Sequence, residues 1–343
     1  MPFHRLALHT AIATALLGTG YGRHTYAGSC DQDFLVCETA PDNTTDSTQT
    51  VNSSDITLTT TSGFGIDVST GSAFELTGSS ISFYDNYQSS ITGASGIVAN
   101  ANTGSDPKNI TITTTGAVTG SAWNGITAIT YSANSENGGE ITINTNNVNG
   151  YFAGINSENY GRGGISITST GTISSSQGSG IRSENTGDGG LTINVNAISS
   201  YRDGINAGND GAGELSITST GTITSVDQRA IGAENTGDGG LTITTQGDIS
   251  AHSEGIEATN YGDGIVNITA SGAVSSAAAA GIKVNNEGSG ALSITASGAV
   301  SSIYEAGIKV DNEGDGALSI TTSGTVSSTS GYGIFVENGG MVG

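Results

Sequence analysis

Three short segments of this chain carry residue types that could perform acid/base chemistry. They are Tyr201-Arg202-Asp203, Asp227-Gln228-Arg229 and His252-Ser253-Glu254. Carboxylates beside arginine could cleave a polysaccharide, with one group donating a proton while another accepts one. The residues that such an enzyme would use are Asp203, Asp227, Arg202 and Arg229.

The competing interpretation of these segments is an exposed patch of ion pairs on a variable turn. The turns are short, whereas a cleft for a saccharide usually needs long loops with aromatic platforms. We therefore favour the ion-pair patch and expect the chain not to be an enzyme. No catalytic, cofactor-binding or metal-binding residue is predicted, and no cofactor is expected.

Histidine and glycine motifs offer little further chemistry. Once a predicted leader is removed, His252 is the only histidine, which argues against a Ser-His-Asp triad and a His-rich metal site. The Gly-Asp-Gly-Gly segments at 187–190 and 237–240 do not repeat in tandem, as calcium-binding nonapeptides do. No helix is predicted after them, so they are not phosphate-binding loops either.

A repeat of about 26 residues positions all of these segments. A Gly-Ile or Ala-Ile step recurs at intervals of 29, 26, 24, 26, 25, 26, 26 and 26 residues. The steps begin at Gly125, Gly154, Gly180, Gly204, Ala230, Gly255, Gly281, Gly307 and Gly333, with weaker copies at Gly65 and Gly96. A short, regular period is typical of a solenoid, in which each unit buries its apolar face against its neighbours.

Each repeat contains three short apolar segments that predict three strands. In residues 281–306 they are Ile282-Lys283-Val284, Leu292-Ser293-Ile294 and a segment ending in Val300. Apolar and polar residues alternate in the first two, as in strands with one buried face. Antiparallel hairpins fit less well, because equivalent side chains would not then stack. The sequence predicts an all-β parallel β-helix of about eleven coils, a rod roughly 50 Å long.

Two polar columns accompany the apolar ones. An asparagine recurs after the first strand, at Asn159, Asn185, Asn209, Asn235, Asn260, Asn286, Asn312 and Asn338. We interpret this column as a structural ladder of hydrogen-bonded amides rather than a ligand site. A second column faces outward from the second strand, at Thr168, Asn194, Thr218, Thr244, Thr269, Thr295 and Thr321. Such a threonine file suits any exposed strand, and it also resembles the flat face of β-helical ice-binding proteins.

Composition narrows the classes of partner. The chain has 343 residues, of which 54 are glycine and 3 are proline, and its net charge is −22. This acidity argues against binding to nucleic acid or to an anionic membrane surface. The hydrophobic content of 34% is low for one large globular core but is sufficient for a narrow solenoid.

The N-terminal region predicts export. Residues 1–27 resemble a signal peptide, with a basic start, a short apolar segment and a cleavage site at Thr25-Tyr26-Ala27. Residues 28–55 read as a cap or linker in which Cys30 and Cys37 pair, although Cys30 could instead be acylated as in a lipoprotein. Residues 56–124 are predicted to form irregular coils, and residues 125–343 regular ones.

The acidic coils rich in Gly, Thr and Asn, with segments such as GALSITASGAVSSIYEAGIKVDNEGDGALSITTSGTV, resemble the passenger domains of bacterial autotransporters, which use type V secretion. The resemblance covers about residues 28–343. It implies a right-handed, pectin-lyase-like β-helix that is exposed on the cell surface at the outer membrane or secreted. It also implies an adhesin or a structural stalk in cell attachment or aggregation.

The resemblance has further implications for partners and for alternatives. The expected partner is a surface receptor, matrix component or glycan on a host or neighbouring cell. A polysaccharide lyase or hydrolase of the pectin-lyase-like fold is the enzymatic alternative. Autotransporters end in an outer-membrane translocator barrel, and no barrel is visible before Gly343. The chain is then either a fragment of a longer reading frame, which we favour, or a passenger that has lost its transporter.

Overall fold

The computed structural model describes residues 30–31, 36–37, 47–102, 108–131 and 139–339, and their regular structure is entirely β-strand. The predicted leader and most of the predicted cap lie outside the described residues. Within the described part of the chain, no helix is long and apolar enough to cross a membrane. The described residues form 34 strands, numbered here in chain order.

The first strands of successive coils form one sheet of twelve parallel strands. They are β3 (Gln49–Asn52), β6 (Ser72–Gly78), β9 (Ser95–Ala101), β12 (Ile126–Thr130), β15 (Ala153–Asn159), β17 (Ser179–Asn185), β19 (Ile205–Asn209), β22 (Ile231–Asn235), β25 (Ile256–Asn260), β28 (Ile282–Asn286), β31 (Ile308–Asn312) and β34 (Ile334–Asn338).

The second and third strands of the coils belong to one other sheet. In two coils the second and third strands are continuous and form one long strand, β16 (Ile165–Ser175) and β18 (Leu191–Ser200), which joins the two sets. The remaining second strands are β4 (Asp55–Thr60), β7 (Ser80–Asp85), β10 (Ile110–Thr114), β13 (Ile141–Thr145), β20 (Leu215–Ser219), β23 (Leu241–Thr245), β26 (Val266–Ala270), β29 (Leu292–Ala296) and β32 (Leu318–Thr322). The remaining third strands are β5 (Gly65–Asp67), β8 (Ser90–Gly93), β11 (Val118–Gly120), β14 (Val148–Gly150), β21 (Ile223–Ser225), β24 (Ile249–Ala251), β27 (Val274–Ser276), β30 (Val300–Ser302) and β33 (Val326–Ser328).

The predicted fold class is confirmed. The chain is a parallel β-solenoid of about 11 turns with about 26 residues per turn. Equivalent residues pair from coil to coil, as Ile256 does with Ile282 and Ile282 with Ile308. Both Ile282 and Ile308 are fully buried, as the apolar columns of the sequence predict.

Three phenylalanines contribute to the core at the start of the solenoid. Phe64, Phe74 and Phe83 are buried here, and the rings of Phe74 and Phe83 lie 4.9 Å apart. At the base, β1 (Cys30–Asp31) and β2 (Val36–Cys37) form an antiparallel pair in which the backbone of Cys30 lies opposite that of Cys37. The disulfide between these cysteines remains a prediction.

One sequence assignment in these early coils is wrong. Gly65-Ile66 was expected to be a weak copy of the first-strand step, but it lies in β5, a third strand, where Ile66 pairs with Ile91. The first-strand position that follows β5 belongs to Phe74 of the next coil, which stacks between Gln49 and Ile97. A phenylalanine fills the position that isoleucine holds elsewhere, so the dipeptide pattern does not mark it.

Candidate functional site

The three charged segments lie where the third strand of one coil turns into the first strand of the next. Asp203 is buried, and its Oδ1 accepts a hydrogen bond from Nε of Arg229 at 2.9 Å. Its Oδ2 accepts a second from Nη2 of the same guanidinium at 3.3 Å. The guanidinium lies over Gly232, where a Cβ atom would stand 2.7 Å from Cζ. Asp203 and Arg229 therefore join neighbouring coils, and the absence of a side chain at Gly232 leaves room for the guanidinium.

The ion pair continues along the stack into the next two coils. Nη1 of Arg229 donates to Glu257 at 2.9 Å, and Nζ of Lys283 donates to the other oxygen of Glu257 at 2.7 Å. Lys283 also lies 3.8 Å from a carboxylate oxygen of Glu254. We call Asp203, Arg229, Glu257, Lys283 and Glu254 the ion-pair chain. It links four successive coils by alternating charge.

The protonation of this chain follows from its contacts. The hydrogen bond from Arg229 to Asp203 raises the pKa of the guanidinium, although burial acts in the opposite direction. Burial would raise the pKa of the Glu257 carboxyl, but the hydrogen bonds from Lys283 and Arg229 outweigh it, so the pKa lies below its ordinary value. Burial likewise opposes the charge on Lys283, whose pKa is nevertheless raised by Glu257. All three groups are therefore charged near neutral pH.

The four residues of the enzymatic alternative are divided by the structure. Asp203 and Arg229 come together in the ion-pair chain, whereas Arg202 and Asp227 point outward and are exposed. Within the described residues, no ion pair includes Arg202 or Asp227. His252 is exposed on the same edge. The arrangement of Asp203 and Arg229 is that of a tie between coils.

The asparagine column forms the ladder that its spacing predicts. Each amide nitrogen donates to the amide oxygen of the next coil, at 2.8 Å from Asn286 to Asn312 and 3.0 Å from Asn260 to Asn286. The same nitrogen also donates to a carbonyl in its own turn, as Asn286 does to Gly288. From Asn159 to Asn312 these side chains are buried, so they stabilise the turn from inside.

The outward positions of the second strand form two files of polar side chains, which we call the hydroxyl face. One file is Thr57, Ser82, Thr111, Thr142, Ser166, Thr192, Ser216, Thr242, Asn267, Ser293 and Ser319. The other is Thr59, Tyr84, Thr113, Asn144, Thr168, Asn194, Thr218, Thr244, Thr269, Thr295 and Thr321. The file predicted from Thr168 to Thr321 is thus in register, and it continues back to Thr59 with Tyr84 and Asn144 at two of its positions.

Eight of the fifteen large hydrophobic side chains that are exposed in the described residues lie on the turn after the third strand. We call this edge the third-turn ridge. Its exposed members include Trp123, Tyr151, Phe152, Tyr201, Arg202, Val226, Asp227, His252, Ile303, Tyr304 and Tyr332. Trp123 is 59% exposed and Phe152 is 46% exposed, with ring centroids 5.4 Å apart. The ridge therefore differs from coil to coil, while the strands beneath it repeat.

Sequence reasoning identified the charged part of this ridge but missed its aromatic part. Trp123, Tyr151 and Phe152 lie before and between the first regular repeats, where the period is 29 residues rather than 26. The available signal was that Trp123 is the only tryptophan in the chain and that Tyr151-Phe152 directly precedes a first strand.

Comparison with models of protein families, with curated proteins and with solved structures finds no match to this chain. Function must therefore be inferred from the surfaces of the solenoid.

Two recesses of about 240 Å³ each lie on these surfaces, and Tyr304, Tyr332 and Phe335 line one of them. The other recess lies where Gly208 leaves a gap between Glu184 and Glu234 on the first-strand sheet. Arg182 borders it and forms a 2.6 Å ion pair with Glu158. Among the described residues, no group of three or more His, Cys, Asp or Glu side chains could hold a metal ion.

Proposed function

We propose that this chain is a non-enzymatic β-solenoid passenger, exported and exposed at a bacterial cell surface or secreted, that acts as an adhesin or a structural stalk. The observation that supports this most directly is the third-turn ridge. The repeating columns fix the rod, and eight of the fifteen exposed large hydrophobic side chains in the described residues lie on this one edge. A rod with a variable edge suits attachment through many weak contacts.

The passenger assignment rests on the resemblance of the coils to autotransporter passengers and on the parallel solenoid with about 11 turns. On this proposal an outer-membrane translocator barrel delivers the passenger. The partner is a receptor, a matrix component or a glycan on a host or neighbouring cell. The acidic surface continues to argue against nucleic acid.

Attachment of beads tests this proposal. Purified chain is coupled to beads at graded densities, and the beads are presented to epithelial cells, bacteria and extracellular matrix. We expect attachment that exceeds that of albumin-coated beads and that rises more steeply than linearly with density. Equal attachment by both kinds of bead on every surface would contradict the adhesin proposal.

The enzymatic alternative receives less support, because Asp203 is already held by Arg229. We expect no release of reducing ends from pectin, alginate or other acidic polysaccharides. Cleavage that the double change Asp203→Ala and Asp227→Ala abolishes would favour the lyase or hydrolase instead. A folded control must accompany that double change, because Asp203 also ties two coils together.

The hydroxyl face supports a second candidate, ice binding. Two polar files run in register over eleven coils, with a coil step of about 4.8 Å. A lattice of hydroxyl groups on a parallel sheet can order water at regular intervals. Thermal hysteresis and ice recrystallisation assays separate the candidates, because an adhesin has no reason to lower the freezing point below its colligative value.

A further inference from the structure

We infer that Trp123, Tyr151 and Phe152 form a platform that binds a neutral pyranose chain. This inference rests on the proposed function and names the chemical class of its ligand. The three side chains, called here the aromatic platform, belong to consecutive coils at the start of the third-turn ridge. Their exposed fractions are 59%, 39% and 46%, so their ring surfaces face solvent instead of the core.

The rings pack against one another and are held in place before any ligand arrives. The Trp123 and Phe152 centroids are 5.4 Å apart with planes tilted by 42°, and Tyr151 meets Phe152 edge-on at 5.0 Å. Aromatic pairs in such tilted and edge-on arrangements attract each other beyond their simple burial. The rings therefore form one surface that curves across two coils.

The backbone beneath the platform is rigid. The amides of Tyr151 and Phe152 both donate to the carbonyl of Trp123, at 2.7 and 3.2 Å. The carbonyls of Tyr151 and Phe152 in turn accept from the buried hydroxyl of Ser175, each at 3.2 Å. Because the turn is tied to the coils on both sides, the rings are presented without a large entropic cost on binding.

The size of the platform favours a saccharide over a protein partner. Aromatic side chains cover about 150–250 Å² each, so three half-exposed rings offer roughly 300 Å². A stable protein interface needs about 800 Å² from each partner. A few sugar rings fit the smaller area, and the length of one pyranose unit is comparable to the coil step of about 4.8 Å. The C–H-bearing face of a pyranose also complements the electron-rich face of an aromatic ring.

The surroundings of the platform favour a neutral saccharide. The turn segments 121–124, 151–153 and 176–178 contain no charged residue. The exposed side chains of Ser176 and Gln177, beside the rings, can exchange hydrogen bonds with sugar hydroxyls. The net charge of the chain is −22, which disfavours a sulfated or uronic acid chain.

Trp123 supplies the experiment, because it is the only tryptophan and therefore the only source of tryptophan fluorescence. The full chain is titrated with cellohexaose, chitohexaose and mannohexaose, and with a heparin hexasaccharide as the anionic comparison. We expect a saturable blue shift with at least one neutral hexasaccharide and none with heparin. The absence of any shift across the neutral panel would overturn the inference.

Three variants separate stacking from general effects on the fold. Phe152→Ala should weaken the binding of the responsive hexasaccharide at least tenfold. Tyr160→Ala should leave it unchanged, because Tyr160 stacks on Tyr131 at 5.6 Å in a similarly exposed pair on another turn. Trp123→Ser, followed by calorimetry and checked by circular dichroism, is the second loss-of-binding variant. Unchanged affinity in folded Phe152→Ala and Trp123→Ser would also overturn the inference.

Attachment assays separate this inference from the proposed function. Beads carrying the Trp123→Ser, Phe152→Ala double variant should lose attachment to a glycoprotein matrix, and enzymatic deglycosylation of the matrix should have the same effect. If wild-type beads attach equally well after deglycosylation, the platform recognises protein and the inference fails while the adhesin proposal stands. If wild-type beads attach to nothing, the adhesin proposal fails, while the fluorescence titration still decides the platform.

Discussion

At the scale of single residues, burial determines what each column contributes. The asparagine ladder places a polar side chain inside the solenoid, where an amide without a partner would be costly. Asn286 meets its requirement by donating to Asn312 and to the carbonyl of Gly288 while accepting from Asn260. The adjacent Asn285 faces outward on the same strand and is half-buried. The two positions therefore form a matched pair for substitution.

Asn286→Ala should destabilise the chain by about 1–3 kcal/mol, because the amides of Asn260 and Asn312 lose buried partners. Asn285→Ala should change the stability by less than about 0.5 kcal/mol, because its side chain points away from the core and surface substitutions usually have small effects. Urea denaturation followed by circular dichroism measures both. Equal loss of stability in the two variants would show that the ladder adds nothing beyond the backbone pairing.

The interior isoleucines lead to a second prediction at this scale. Ile282 is fully buried between Ile256 and Ile308, so Ile282→Asp buries a charge without a partner and should cost several kcal/mol. Thr295→Asp introduces the same side chain at an exposed position of the next strand and serves as the control. A melting temperature of Ile282→Asp that equals that of Thr295→Asp would show that the column is misassigned.

At the scale of elements, turns between coils demand close approach of the backbone. A Cβ atom on Gly178 would lie 1.6 Å from the carbonyl oxygen of Phe152, while one on Gly208 would meet nothing within 4 Å. Gly178→Ala should therefore destabilise the chain by about 1–3 kcal/mol through forced displacement of the turn. Gly208→Ala should be neutral or slightly stabilising. Thermal melting of the two variants compares them, and the reverse ranking would contradict this description of the turn.

The ion-pair chain predicts a dependence of stability on pH. The folded-state pKa of Glu257 lies below the ordinary value of about 4.3, so its stabilising effect is complete above that value and disappears as the pH falls through the folded pKa. The melting temperature of the wild type should therefore fall more steeply between about pH 5 and pH 3 than that of Glu257→Gln. Glu287→Gln, at an exposed position, should follow the wild type. Parallel curves for the wild type and Glu257→Gln would contradict the role of this carboxylate.

The elements also show how far the sequence predicts this molecule. A constant period places equivalent residues above one another, so the apolar columns and the asparagine ladder could be assigned before any coordinates. Phe74 breaks the dipeptide pattern, and the early coils were therefore misaligned. In a strand, side chains alternate between the core and solvent, but turn residues such as Arg202 and Asp203 follow no such alternation. The sequence therefore does not show which of the two side chains is buried. Their opposite orientations, and with them the pairing of Asp203 with Arg229, follow from turn geometry that the spacing does not encode.

At the scale of the whole molecule, the solenoid behaves as a stack of interchangeable coils. Deleting residues 281–306 would bring Ile308 above Ile256 and Asn312 above Asn260, which preserves both columns. It would also bring Lys309 to the position of Lys283, opposite Glu257. We expect the shortened chain to fold with a melting temperature within a few degrees of the wild type. Deleting residues 281–293 instead shifts every column and should abolish cooperative unfolding.

The central claim is that recognition lies on the third-turn ridge and that the repeating faces form the supporting rod. Its most direct test compares the attachment of beads that carry two variants of equal thermal stability. The ridge variant replaces Trp123, Tyr151, Phe152 and Tyr201 with serine, and the face variant replaces Thr218, Thr244, Thr269 and Thr295 with serine. The account predicts that attachment falls to the level of albumin beads in the ridge variant and stays at the wild-type level in the face variant. Full attachment by the ridge variant, with loss in the face variant, would contradict it.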